Sequence, residues 1–260
     1  MRLITSFNDE LYKASGNTLL KSFLQTKKFN DKLFVAYEGK KPEIRDKDII
    51  YKTLNKNKFL SQFLEEHKEI IPSYLGGIAR HCDCKDWEKR HSKYHIKGCH
   101  YHWMNRNLFR WLKKLVAIDL FLNDNLKGKS FIWLDSDCII KKRLNISILF
   151  YLFNSKDIFY FKGKRREAIE TGIIGFSETP NAIKIFNEWL DKYKTGDFLL
   201  SHRWDDSYQF TLVCKKYKKD CNDVAEKIKS FNNDIIPRTP MSQYIDHNKG
   251  LHGRILGIVK

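Results

Sequence analysis

The sequence has few residues that break regular structure, and it has no long hydrophobic run. Only five prolines and 13 glycines occur among 260 residues, which leaves no room for a long disordered linker. The longest apolar run, ISILFYLF at 146–153, is far too short to span a bilayer. The N-terminal MRLITSFNDELYK lacks the apolar core of a signal peptide. These absences predict one compact body that is cytoplasmic and at most peripheral to a membrane.

Acidic residues are scarce relative to basic ones. Lysine and arginine total 48 against 31 aspartates and glutamates, so the net charge is +17. This excess favours an anionic partner, such as nucleic acid, anionic lipid or a phosphorylated small molecule, without choosing among them. The six cysteines, without a secretion signal, are typical of reduced thiols in a cytosol.

The N-terminal elements predict a layered α/β domain. Residues 2–7 form a short β-rich run, and Asn8 or Asp9 can cap the helix that follows. A second buried strand, at 32–39, ends at a glycine. The order strand, helix, strand predicts a parallel pair with a right-handed crossover, and 42% hydrophobic content supplies a core.

A long amphipathic helix precedes the next strand. Its apolar positions recur at helical spacing, whereas Arg110, Lys113 and Lys114 are predicted to lie off that stripe. The stripe consists of Met104, Leu108, Trp111, Leu115, Ile118 and Leu122. The helix leads into the strand SFIWLD, which ends at Asp135.

The C-terminal half alternates helices and strands. The pattern predicts a helix at 144–153, strands at 157–161 and 169–176, and a helix at 205–217. Another helix is capped by Thr179 and begun by Pro180. In the region 40–102 the sequence predicts only a helix, within 57–71.

Two aspartates follow the strand SFIWLD. Asp135 and Asp137 are separated by one residue, so both can point into one cleft. Two such carboxylates repel each other unless a cation neutralises them or one is protonated. Ligands of open α/β sheets gather beyond the carboxyl ends of strands, and divalent ions accept carboxylate and diphosphate oxygens. On this context alone, a plain surface turn stays an equal alternative.

Three further stretches extend the pattern into a resemblance. ETGIIGF begins at Glu170, HRWDDSYQF contains Asp205 and Asp206, and DHNKG contains His247. With the strand-end D-x-D, and in this order, these resemble glycosyltransferases of the GT-A fold. The tail HNKGLHGR is similar to the H-x-x-G-x-x-K tail of family 8, the glycogenin-like group, with Arg254 one place late. The resemblance extends over roughly residues 2–254.

The resemblance implies a single GT-A type domain with a Rossmann-like, mostly parallel central sheet flanked by helices. Residues 1–140 would bind the nucleotide sugar, and residues 141–260 would supply the acceptor half and the metal-binding tail. It also implies Mn²⁺, or Mg²⁺, bridging the diphosphate of a donor such as a UDP-sugar. Asp135, Asp137 and His247 would form the metal site, with His252 as the alternative histidine. Asp137 would be the firmer ligand of the two aspartates, and Asp135 would also contact the ribose of the nucleotide.

Phosphate contacts are implied for four basic residues. Lys249 and Arg254 would contact the diphosphate from the tail, where cations stabilise the leaving group. Arg110 and Lys114 lie one turn apart on the helix before the metal strand, which borders the donor site in this fold. A solvated basic face is the alternative, and it is favoured for Lys113.

Candidate catalytic residues are Asp206, Glu170 and Asp205. One of the two aspartates would bind the acceptor hydroxyl or act as a general base, and a helix-capping role is equally expected for one of them. Glu170 would bind the acceptor or take part in catalysis, with a surface salt bridge as the alternative. The acceptor is a glycan, glycolipid or protein, and the tail leans toward a retaining reaction.

Cysteines and histidines are dense between residues 81 and 102. A zinc site is the obvious hypothesis, but the spacing fits no known finger, and no C-x-x-C occurs. A polar, aromatic loop near the acceptor cleft is the favoured interpretation.

Two other function classes stay open at this stage. Paired carboxylates and positive charge also suit a metal-dependent nuclease or phosphotransferase, although a further acidic cluster is not evident. A basic module that binds nucleic acid is the non-enzymatic alternative. No recognisable nucleic-acid motif occurs, so no specific nucleic-acid partner is expected.

Overall fold

The computed structural model describes residues 1–67, 108–124, 129–164, 166–201, 203–229 and 235–248. The strands within these ranges are β1 (Arg2–Phe7), β2 (Lys32–Tyr37), β3 (Ile49–Thr53), β4 (Phe131–Leu134), β5 (Cys138–Ile140), β6 (Ile158–Phe161), β7 (Glu170–Phe176), β8 (Cys221–Asp223) and β9 (Ile245–His247). The helices are α1 (Asp9–Leu11), a π-helical turn (Tyr12–Gly16), α2 (Asn17–Thr26), α3 (Lys58–Glu66), α4 (Leu108–Asn123), α5 (Ile146–Phe153), α6 (Pro180–Lys194) and α7 (Asp206–Lys216).

Seven of the nine strands in the described ranges form one sheet, in the order β3-β2-β1-β4-β7-β6-β8. Neighbouring strands are parallel, except that β7 is antiparallel to both β4 and β6. The predicted parallel pairing of the first two strands is confirmed, with Arg2 opposite Lys32 and Phe7 opposite Tyr37. The α/β class with a mostly parallel, helix-flanked sheet is therefore confirmed.

Helices cover both faces of the sheet. Successive residues of a strand point to opposite faces, so Leu3 and Ile4 belong to different hydrophobic clusters, as do Ile132 and Trp133. One cluster packs α3, α4, α6 and α7 against the sheet, and the other packs α2 and α5. Burial on both faces explains why β2 and β4 are continuous apolar runs.

Helix caps follow the predicted chemistry. Asn8, rather than Asp9, caps the first helical stretch by accepting a hydrogen bond from the Leu11 amide. Thr179 caps α6 through the Ala182 amide, with Pro180 as the first helical residue. On α6 the predicted apolar residues Phe186, Leu190 and Tyr193 are buried, whereas Ile183 is only partly buried because Ile185 and Trp189 occupy the inner face.

The sequence did not predict four short strands. β3 lies in the region 40–102, where only a helix was predicted, and β5, β8 and β9 have three residues each. None of the helices in the described ranges is both long and apolar enough to cross a membrane.

One edge of the sheet positions the candidate site. β1, β2 and β4 are parallel, so their carboxyl ends lie at the same edge. Because β7 runs antiparallel to β4, it begins where β4 ends. Beyond this edge β5 pairs with β9 as a two-stranded antiparallel ribbon.

Candidate functional site

The carboxylates of the D-x-D motif lie where β4 leaves the sheet. The Asp135 amide donates to the carbonyl oxygen of Gly172 over 2.8 Å, which extends the β4–β7 pairing by one residue. A turn follows, closed by the Cys138 amide, which donates to the Asp135 carbonyl oxygen over 3.1 Å. This turn directs Asp137 toward the β5–β9 ribbon.

The β5–β9 ribbon brings His247 to Asp137. Cys138 lies opposite His247 in the ribbon, and the Asn248 amide donates to the Asp137 carbonyl oxygen over 3.1 Å. As a result, Nε2 of His247 lies 3.3 Å from Oδ1 of Asp137, although 110 residues separate the two along the chain. We call these two residues the Asp137–His247 pair.

Gly172 on β7 makes room for the histidine. A Cβ atom at this position would lie 2.4 Å from Cε1 and 2.7 Å from Nε2 of His247. Any other residue here would displace the imidazole. Gly172 is therefore part of the site, and its signal in the sequence was the glycine spacing of ETGIIGF.

The Asp137–His247 pair contains two buried polar atoms without a hydrogen-bond partner among the described residues. These atoms are Oδ1 of Asp137 and Nδ1 of His247. Buried polar atoms are normally bonded, so an orphaned one that lies among other donor atoms is consistent with a ligand, ion or water at that position. Candidate ligand atoms of Asp137, Cys138 and His247 all lie within 4.8 Å of one another. A divalent cation would satisfy such a group.

The chemistry of the donors favours oxygen and nitrogen ligation. Burial raises the pKa of the Cys138 thiol well above its usual value, and the neighbouring carboxylates raise it further. Thiol sulfur is also a soft donor, which hard cations such as Mn²⁺ and Mg²⁺ do not prefer. The remaining carboxylate and imidazole suit a cation such as Mn²⁺.

The two members of the pair shift each other's ionisation. Burial disfavours charge on the His247 imidazole, but the adjacent Asp137 outweighs it, and the pKa of His247 is raised. Burial likewise opposes ionisation of Asp137, but the imidazole outweighs it and lowers the pKa of this carboxyl. Without a metal the pair therefore favours a carboxylate beside an imidazolium.

Asp135 faces a different set of neighbours. Its Oδ1 accepts a hydrogen bond from Trp133 Nε1 over 2.8 Å and lies 3.2 Å from Lys114 Nζ. The side chain is 36% exposed. Asp135 is not part of the group of described ligand atoms that lie within 4.8 Å of one another, although its charge contributes to the raised pKa of His247.

Lys114 is buried at the centre of a polar network. Its side chain is 7% exposed, so the expectation that Lys114 lies off the buried stripe of its helix is wrong. Nζ lies 2.7 Å from Asp206 Oδ2 and donates to the Thr171 carbonyl oxygen over 2.8 Å, in addition to the Asp135 contact. We call Lys114, Asp135, Asp206 and Thr171 the lysine network.

The lysine network is satisfied internally. An ammonium group has three N–H donors, and Nζ of Lys114 has three acceptors around it, which leaves no donor for a phosphate in this arrangement. Burial opposes the charge on Lys114, but Asp135 and Asp206 outweigh it and raise its pKa, so the side chain stays cationic. Burial raises the pKa of Asp206, although Lys114 works against this.

The adjacent aspartates 205 and 206 have different surroundings. Asp205 is the N-cap of α7, where Oδ1 accepts from the Tyr208 amide over 3.1 Å. It also accepts two hydrogen bonds from the Arg203 guanidinium, at 2.8 and 3.0 Å. Asp206 faces the site instead, and its Oδ2 accepts from Thr171 Oγ1 over 2.9 Å. Of the two aspartates, Asp205 therefore has the predicted capping role at the start of α7.

Glu170 is buried at the start of β7. Its Oε2 accepts from Arg166 Nη2 over 3.1 Å, and its Oε1 accepts from the Gly172 amide over 3.2 Å. The alternative of a surface salt bridge is therefore wrong, because both partners are largely buried. The Glu170 charge contributes to the raised pKa of His247.

The remaining predicted residues lie apart from this cluster or outside the described ranges. Arg110 is exposed, one turn before Lys114 on α4, and Lys113 forms an ion pair with Glu38. Lys249, Arg254 and the alternative ligand His252 lie outside the described residues. The cysteine and histidine cluster at 81–102 also lies outside them.

Sequence reasoning missed Trp133, Thr171 and the burial of Lys114. Trp133 lies in the stretch FIWLDSD and Thr171 in ETGIIGF, so their position within these two motifs was the only sequence signal for a place in the site. Lys114 lies three residues after Trp111 and four before Ile118, and this spacing places it beside the apolar stripe. Helical spacing could therefore have revealed its burial.

Comparison with known proteins gives similar solved structures only, since no family model and no curated protein matches the chain. Mouse xyloside xylosyltransferase 1, in its apo form, is 12% identical with a TM-score of 0.42, over 85% of this chain and 84% of that chain. The glycosyltransferase GlyE of Streptococcus pneumoniae TIGR4 is 12% identical with a TM-score of 0.42, over 85% of this chain and 44% of that chain.

A third similar structure is the PaToxG glycosyltransferase. It is 13% identical with a TM-score of 0.36, over 83% of this chain and 69% of that chain. The chain spans less than half the length of the GlyE chain that it matches. All three TM-scores lie below 0.5, so function has to be inferred from the side chains of the site.

Proposed function

We propose that the chain is a metal-dependent glycosyltransferase of the GT-A type that transfers a sugar from a nucleoside diphosphate to a hydroxyl group. The observation that carries this proposal is the Asp137–His247 pair at the carboxyl edge of a mostly parallel sheet. The resemblance in sequence implied that these two residues act together, and they lie 3.3 Å apart, with Nδ1 of His247 buried and without a hydrogen-bond partner among the described residues.

Asp137 and His247 would hold the cation, with Mn²⁺ as the first candidate. Such an ion, when bound, neutralises charge on the diphosphate as the bond to the sugar breaks. Asp135, at the half-exposed rim of the site, would contact the nucleotide or contribute to the metal site. Lys249 and Arg254 follow His247 closely in sequence and would supply positive charge to the same phosphates.

The other carboxylates would serve the sugar and the acceptor. Asp206 and Glu170 are buried next to Thr171 and Gly172, on either side of the strand start that supports His247. The lysine network holds Asp206 in place beside a permanent positive charge, so the carboxylate would accept a hydrogen bond from a sugar or acceptor hydroxyl. Asp205, as a cap, would support the start of α7.

A screen of donor hydrolysis tests the proposal. Purified protein would be incubated with UDP-, GDP- and CMP-sugars, with and without Mn²⁺, and the released nucleotide measured. We expect Mn²⁺-dependent release from at least one donor, most readily a UDP-sugar, and loss of release in Asp137→Ala.

Binding gives an independent readout of the same proposal. Nucleotide plus Mn²⁺ should raise the melting temperature of the wild type by ligand linkage, and should not do so in Asp137→Ala. No release from any donor, together with no shift for UDP, GDP or CMP, would overturn the proposal. Cleavage of plasmid DNA in place of donor hydrolysis would point to a nuclease.

A further inference from the structure

Helix α5 presents large apolar side chains to solvent. Ile146 is 67% exposed, Phe150 71% and Tyr151 50%, whereas Ile148 and Leu152 face the core. Ile146 and Phe150 are four residues apart and share one face of the helix. Single exposed apolar residues are ordinary, but adjacent ones on a helix without any charged residue indicate an interaction surface.

Lysines lie at both ends of this apolar surface. Lys141 and Lys142 are exposed just before the helix, although Lys141 pairs with Asp246 over 2.8 Å. At the other end, Lys156 Nζ donates to the carbonyl oxygen of Lys219 over 2.7 Å, which places the exposed Lys218 and Lys219 beside the helix terminus. We call the exposed α5 side chains and these lysines the α5 surface.

We propose that the α5 surface docks the protein onto an anionic lipid bilayer. Aromatic and aliphatic side chains of a short helix can enter the boundary between headgroups and acyl chains, while flanking lysines are attracted to anionic headgroups. The net charge of +17 adds to that attraction. A second copy of the chain fits less well, because a symmetric contact would place the same lysines against one another.

Vesicle co-sedimentation of the full chain tests the apolar part of this surface. Wild type should sediment with phosphatidylcholine vesicles that contain phosphatidylserine, and not with phosphatidylcholine alone. The double variant Ile146→Ser, Phe150→Ser should bind these vesicles at least about tenfold more weakly than wild type. Leu200→Ser is the matched control, since Leu200 is 88% exposed on the 3₁₀ turn Asp197–Leu200, and it should bind like wild type.

Charge reversal tests the basic part. Lys218→Glu with Lys219→Glu should weaken binding about tenfold, and added salt should weaken wild-type binding in the same direction. Circular dichroism and melting temperature show whether each variant is folded. Wild type that fails to sediment, or binding that the α5 and lysine variants leave unchanged, would overturn the proposal. A wild-type dimer that the α5 variant dissociates would assign the surface to self-association instead.

Discussion

The lysine network and the Asp137–His247 pair meet β7 at adjacent residues, Thr171 and Gly172, yet they differ in how completely their polar atoms are paired. Each N–H of Lys114 has an acceptor, and Thr171 lies within the same network. The Asp137–His247 pair contains two buried atoms that have no hydrogen-bond partner in the described part of the chain. The lysine network is paired within the folded chain, and the Asp137–His247 pair is where we propose a bound cation.

This difference predicts that substitutions in the lysine network mainly affect stability and that substitutions in the Asp137–His247 pair mainly affect binding. Breaking a buried ion pair by removing one partner leaves an uncompensated charge and destabilises the fold strongly. Asp137 has His247 as its partner, and an imidazole, unlike the lysine ammonium, readily loses its proton, so removing the Asp137 charge should cost less stability and mainly reduce binding of the proposed cation. Substitutions in the two regions should therefore give opposite patterns.

Lys114→Met should have the largest effect on stability. It leaves Asp206 buried without its cation, so we expect a loss of about 3–5 kcal/mol in the free energy of unfolding. Urea denaturation measures this loss. Adding Asp206→Asn should recover part of it, because the uncompensated carboxylate is then neutral.

Lys113→Met provides the matched control for Lys114. Lys113 is the adjacent residue, and it pairs with Glu38 at a less buried position, where the two side chains are 14% and 29% exposed, so its removal should cost less than that of Lys114, about 1 kcal/mol. Equal losses for the two lysines would contradict a special role of the lysine network.

Asp137→Asn should have the largest effect on activity. The change preserves size but removes a metal ligand, so metal-dependent donor hydrolysis should fall about 100-fold or more. Its unfolding free energy should change much less than that of Lys114→Met. A loss of stability as large as that of Lys114→Met, or unchanged hydrolysis, would place Asp137 in a structural role.

Gly172→Ala should weaken metal binding without removing a ligand. The added methyl group would displace the His247 ring, so the Kd for Mn²⁺ should rise about ten- to 100-fold. Titration of each variant with Mn²⁺ measures this effect. Gly175→Ala on the same strand is the control, because its methyl group would meet the Phe159 ring, which would lower stability and leave Mn²⁺ affinity unchanged while the protein is folded.

The pH dependence of Mn²⁺ binding should be the smallest effect. The pKa of His247 is raised, and a metal requires the neutral imidazole, so affinity should increase with pH by at most about tenfold per unit. Without metal, the quantity that depends on pH is the stability of the fold, and its dependence has the opposite sign. The pairing of His247 with Asp137 stabilises the fold below the ordinary histidine pKa of about 6.5, and this contribution is lost as pH rises through the folded-state pKa. Binding to His247→Asn that keeps the full pH dependence would exclude His247 as its source.

Much of the sheet could be predicted from the sequence because most of its strands are continuous apolar runs. β1, β2, β4, β6 and β7 followed from that pattern. The three-residue strands β5 and β9 could not, since pairing between distant segments rather than local propensity creates them. The resemblance nevertheless connected His247 to the D-x-D motif, and His247 does lie 3.3 Å from Asp137.

The sequence named most of the residues discussed at the candidate site, but it did not predict their contacts. The resemblance implied different roles for Asp135 and Asp137, but only the structure gives their different partners, which follow from the turn after β4. Its charge led to the expectation that Lys114 is exposed, whereas the buried Asp206 and the partly exposed Asp135 compensate that charge in the fold. Such compensation depends on contacts between residues distant in sequence, which composition does not reveal.

Titration of Mn²⁺ by electron paramagnetic resonance tests the central claim most directly. Loss of the free-ion signal measures how much Mn²⁺ the protein binds in the presence of UDP, for wild type, Asp137→Asn and Asp135→Asn. We predict one bound ion per wild-type chain, loss of that ion in Asp137→Asn, and a smaller weakening in Asp135→Asn. Equal binding by wild type and Asp137→Asn, or no binding by the folded wild type, would contradict the assignment of a cation to the Asp137–His247 pair.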